Sequence, residues 1–132
     1  MRCSDTCAVM KRESVTIIAV LVLILCGSAL YAHHGWAWAT DEEFTITGTI
    51  VSYKLGNPHG EVTIDVDGSQ WTVEIGQPWR NERAGLTEEV LQDGAEMTVY
   101  GHRSSDKDVL TVKAERLVID GKEFDLYPNR ES

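Results

Sequence analysis

The part of the chain able to build a domain contains no cysteine. All three, Cys3, Cys7 and Cys26, precede Gly27. A domain that follows them has no disulfide and no thiolate chemistry, and it must hold together by burial. A Cys–His catalytic pair is excluded. G-x-S-x-G, a phosphate-cradling glycine loop and H-E-x-x-H are also missing. Positive charge is scarce: 12 Lys and Arg stand against 21 Asp and Glu, a formal net charge of -9. That balance opposes nucleic acid and anionic lipid, and it also serves solubility. The longest strictly apolar stretch, Val15 to Leu25 with only Thr16 polar, is shorter than the roughly 20 residues that span a bilayer.

What precedes the domain reads as an export signal. Lys11 and Arg12 supply the positive end, Val15 to Leu25 the apolar core, and Gly27, Ser28, Ala29 and Ala32 the small-residue exit. The expected signal peptide covers residues 1–32, with translation starting at Met1 or, in better keeping with a signal, at Met10. Cleavage after Ala32 makes His33 the first mature residue. Cleavage after Ala29 fits the small-residue rule better and leaves Leu30-Tyr31-Ala32 ahead of it. Counting on to Ala32 also brings an uncleaved anchor into range. Leu25 before Cys26 argues against a lipid anchor, where a small residue is required. The leader holds three basic and two acidic side chains, so its removal leaves nine against nineteen, a net of −10. The expected location is periplasmic or secreted, without stable membrane association.

Residues 33–43 form an arm with two tryptophans, Trp36 and Trp38, whose simplest role is to pin it onto the domain. From Phe44 to Leu126 the pattern is that of short strands. Phe44 to Leu55 is a long strand in which Gly48 and the adjacent pair Ile50-Val51 predict a bulge, after which Val51, Tyr53 and Leu55 take up the opposite phase. Gly56 to Gly60 is a loop, Glu61 to Val66 a second strand, Asp67-Gly68 a hairpin turn, and Gln70 to Ile75 a third strand. Trp79 to Ala84 has the makings of a helical turn. Leu86 to Leu91 looks the better helix, with Thr87 as N-cap and Leu86 and Leu91 at staple spacing. Glu96 to His102, Val109 to Ile119 and Glu123 to Leu126 complete the strands, and residues 127–132 look like a loose tail. Three strands, a helix, then two or three strands is the order of a small Greek-key barrel. The expected fold is therefore all-β with one short helix: an OB-fold-like barrel of five to six strands over residues 44–126.

The four histidines are the residues that point to chemistry. His33 and His34 open the arm, His59 lies in the first inter-strand loop, and His102 closes the fourth expected strand. In an OB-fold the two loops near His59 and His102 flank the usual binding face. The arm belongs at the other end of the first strand, and its ten or so residues can reach back. A mature start at His33 would offer an amine and an imidazole to one metal, a nitrogen-rich set that suits Cu(II), then zinc or nickel. Isolated loop histidines are more often plain surface residues.

The mature region resembles a family of small exported bacterial proteins catalogued as a domain of unknown function. The resemblance is carried by Ala32-His33-His34-Gly35, Thr45 to Ile50, Asn57-Pro58-His59, Glu74-Gly76-Pro78, Gly85-Leu86-Thr87 and Gly101-His102 in that order. It implies export and cleavage at Ala32, and no activity.

The first expectation is thus a non-catalytic periplasmic module that binds or carries a transition metal, copper first, through His33, His34, His59 and His102. The second is a protein-interaction module with incidental histidines. A copper-dependent oxidase comes third, because no organic substrate site is visible. Single-stranded nucleic acid is not expected, since it calls for a basic groove.

Overall fold

The computed structural model describes residues 35–130, and these contain a closed barrel. Its elements are β1 (Phe44–Lys54), β2 (Glu61–Val66), β3 (Ser69–Glu74), α1 (Pro78–Ala84), β4 (Glu96–Arg103), β5 (Thr111–Ile119) and β6 (Lys122–Asp125). The sheet order is β3-β2-β1-β4-β5-β6, and a parallel pairing of β3 with β5, from Thr72↔Thr111 to Glu74↔Lys113, closes the first five strands into a barrel. This is the OB-fold-like Greek key read from the sequence, with β6 as an extra hairpin strand. Among the described residues no helix is long and apolar enough to cross a membrane. The expected signal peptide, His33 and His34 lie outside the described residues.

β1 serves both halves of the barrel. It pairs with β4 from Phe44↔Gly101 to Thr49↔Glu96 and with β2 from Thr49↔Asp65 to Lys54↔Glu61. Gly48 marks the crossing: a Cβ there would lie 2.5 Å from the Asp65 carbonyl oxygen, so only glycine lets the strand coil so tightly. The register then slips between Ile50 and Ser52, which makes Val51 the bulge. The expected change of phase is corrected in one respect. Val51 and Tyr53 are 40% and 39% exposed and do not enter the core, because the bulge turns the end of β1 outward. Leu55 does pack against the core.

Two hairpins follow from two-residue turns. Asp67-Gly68 and Asp120-Gly121 both have positive φ at each position, the backbone a type I′ turn requires. The alternating residues of β2 and β3, Val62, Ile64, Trp71 and Val73, form one wall of the core, and Met97, Val99, Val112 and Leu117 form the other. Leu86, Ile119, Phe124 and Leu126 close it from the side of the helix and β6.

The helix sits one segment earlier than Leu86 to Leu91. Pro78 supplies a fixed φ at its start, and Gly85, with φ 78, stops it in the left-handed region with its backbone N–H turned to the Asn81 and Glu82 carbonyls. Residues 87–91 make a single turn, in which Val90 and Leu91 N–H donate to the Thr87 carbonyl. Leu86 and Leu91 are both buried, so the staple spacing reflects two anchors that hold a connecting loop to the core. The tail is also corrected: Tyr127 is half-buried, and Arg130 contacts Glu115 and Trp36.

Candidate functional site

The arm is fastened to the end of β4. Ala39 bridges Ser104, Thr40 N–H donates to the Arg103 carbonyl, and Ser105 N–H donates to the Trp38 carbonyl. Trp36 then stands edge-on to His102, with ring centroids 5.8 Å apart, and edge-on to Tyr127 at 5.3 Å. The Arg130 guanidinium lies 3.9 Å from the Trp36 ring centroid. Arm, tail and barrel meet at this tryptophan, in keeping with a pinning role.

His102 owes its position to the glycine before it. A Cβ on Gly101 would lie 1.9 Å from the Lys113 carbonyl oxygen. At that step the β4–β5 register slips: Tyr100 faces Arg116 and Gly101 faces Ala114, so Glu115 is the extra residue. His102 is 8% exposed. Its Nδ1 lies 3.1 Å from the Glu42 carbonyl oxygen, to which it donates, and its Nε2 lies 3.3 Å from Glu115 Oε1. Nδ1 is thus engaged by a backbone carbonyl, and Nε2 faces a carboxylate oxygen.

His59 is held by its neighbour in the same manner. Gly60 N–H donates to the Gly76 carbonyl and accepts from Ile75 N–H through its own, which ties the loop to the end of β3. His59 Nε2 is 3.7 Å from Glu74 Oε2. Its Nδ1 is buried and, among the described residues, has no partner. Glu74 Oε2 also accepts from Lys113 Nζ at 3.1 Å, and Lys113 Nζ lies 5.9 Å from the Trp36 ring centroid.

The register puts Glu74, Lys113 and His102 in one row across β3, β5 and β4. At about 4.8 Å per strand, Glu74 and His102 stand about 10 Å apart. His59 and His102 therefore share a surface, linked by a carboxylate and an ammonium. Among the described residues no three His, Cys, Asp or Glu side chains are grouped to hold a metal ion.

Lys113 and Glu115 are buried, and each is paired, as burial of charge demands. Glu115 Oε1 sits within ion-pair distance of both His102 and Arg130. Tyr127 completes the layer. Burial pushes its phenol above the usual tyrosine range, Arg80 and Arg130 pull it partly back, and Glu115 and Glu74 add to the rise. Near neutral pH it is an O–H donor. The available signal was the pairing of aromatic residues in both arm and tail with β5 charges between apolar neighbours.

Residues 21–112 match the profile of a family of unknown function, DUF6152. None of the curated proteins is significantly similar to the chain. Among solved structures, a chain of the Stn1–Ten1 complex of S. pombe is 17% identical with a TM-score of 0.46, over 58% of this chain and 57% of that one. The tRNA agmatidine synthetase TiaS is 19% identical with a TM-score of 0.45, over 59% of this chain and 18% of its own. The chain thus spans little more than half of the one and under a fifth of the other.

Proposed function

The chain belongs to this family of unknown function, and from its own residues we propose that it is an exported module that binds a transition metal, Cu(II) first. The proposed ligands are the His33 amine and imidazole, His34 and His59. His102 holds the arm through its Nδ1 bond to the Glu42 carbonyl.

The observation that carries this reading is the buried Nδ1 of His59, which has no hydrogen-bond partner among the described residues. Trp36 is joined to His59 through Lys113 and Glu74 by contacts of 5.9, 3.1 and 3.7 Å. A small movement of the His59 ring would present that nitrogen. Lys113 opposes a cation, and its pairing with Glu74 reduces that opposition.

Intact mass of the exported chain and Cu(II) titration test the reading together. The expected result is a start at His33, one Cu(II) per chain, and proton release on binding, because amine and imidazole ligate unprotonated. Affinity should fall as pH drops through about 6.5. His34→Ala and His59→Ala should each weaken binding without loss of the fold. Unchanged affinity in both would leave the N-terminal residue alone as the site and remove the fold from it. No binding at all would favour a protein-interaction module.

A further inference from the structure

A cavity lies on the tail side of the barrel. Its volume is about 350 Å³, and it is lined by Arg80, Arg83, Tyr127, Pro128, Asn129 and Arg130. Three of its six lining residues are arginines, in a chain with 12 basic and 21 acidic residues.

The three differ in what holds them. Arg80 is locked: Nη1 donates to the Leu126 carbonyl at 3.0 Å, and its guanidinium sits 4.6 Å from the Trp79 ring centroid and 4.2 Å from that of Tyr127. Arg130 is fixed between Glu115 and Trp36. Arg83 is exposed in the last turn of α1. Among the described residues neither Arg80 nor Arg83 has a carboxylate at ion-pair distance. Arg130 N–H donates to the Tyr127 carbonyl, a turn with Asn129 near its tip.

We infer that this cavity is a binding site for a small di- or tricarboxylate. Guanidinium groups offer parallel N–H pairs that match the plane of a carboxylate. Arginines supplied by α1 on one side and by the tail on the other suit several carboxylates on one molecule better than a single tetrahedral anion. The volume falls in the range of small-molecule sites. Tyr127 adds an O–H donor. Two immobilised guanidiniums lower the ordering cost of binding. None of its lining residues is a proposed metal ligand.

The test is calorimetric titration of the exported chain, stripped of metal, with citrate and with inorganic phosphate as probes. Citrate should bind saturably at one site and more tightly than phosphate. Arg83→Gln alters an exposed side chain and should keep the fold while weakening citrate about tenfold. Lys54→Gln and His59→Ala should leave it unchanged. Absence of saturable citrate binding would overturn the inference, as would an unaltered affinity in folded Arg83→Gln. Phosphate binding as tight as citrate would overturn the assignment to a polycarboxylate, and loss in His59→Ala would overturn the separation of the two sites.

Discussion

His102 Nε2 and Glu115 Oε1 are 3.3 Å apart, and they meet because Glu115 is the extra residue of the β4–β5 register slip. Without the slip Glu115 would lie in regular ladder phase with its neighbours. With it, a carboxylate is buried on the outer surface of the barrel, where it serves His102 from the strand and Arg130 from the tail. One irregularity in one strand organises the side on which arm and tail close.

Glu115→Ala should therefore cost more than a surface substitution. Both Glu115 and His102 side chains are about 10% exposed, and removal of one partner from a buried pair costs about 3–5 kcal/mol. The expected loss is about 3 kcal/mol in urea denaturation, the lower end because Arg130 is 41% exposed. A change within about 0.5 kcal/mol would mean the pair contributes nothing net.

Gly101→Ala tests the origin of the slip. Its Cβ has no room beside the Lys113 carbonyl, so β4 and β5 must separate. The expected loss is about 3 kcal/mol or more, read as a lowered melting temperature. A variant that melts with wild type would show that the strands approach less closely than 1.9 Å from that Cβ position implies.

Val73→Asp should abolish folding. Val73 is fully buried, and loss of its burial costs about 1.5–3 kcal/mol before the added cost of an unpaired carboxylate. A domain of ordinary stability has only about 5–15 kcal/mol in all. A cooperative melt near wild type would refute the strand phase.

Tyr127 predicts the alkaline limb of stability. Its pKa is raised in the folded chain, with burial as the largest cause. The folded state then holds the phenolic proton more tightly than the unfolded chain. The associated stability is complete below the unfolded value of about 10 and is lost as pH rises through the folded one. Unfolding free energy should fall from about pH 10 upward, and Tyr127→Phe should flatten that fall. An equal fall in the variant would assign it to other groups.

The barrel was legible because its signals are local. Val62, Ile64 and Val66 alternate, Asp67-Gly68 turns, and Trp71, Val73 and Ile75 alternate again, each set within a few residues. The helix was misplaced because Leu86 and Leu91 imitate a staple while anchoring a loop, and Trp79 to Ala84 looked like no more than a helical turn. The charged layer was hidden for a different reason. Lys113 and Glu115 look solvent-facing in their strand, and what covers them comes from Trp36 and from Tyr127 to Arg130, remote in sequence. The contacts of His102 with Glu42 and Glu115 come from residues that no spacing revealed.

The β3–β5 pairing carries a consequence for how the chain is made. Synthesis delivers β3 long before Thr111, so the edge of β3 stays open until the strand that seals it has emerged, and a pairing of such sequence separation is slow to find. A product that stops after Arg103 would expose β3 and β4 as two unsealed edges, each a template for another chain. Premature termination in this gene would therefore yield an aggregate rather than a smaller soluble domain.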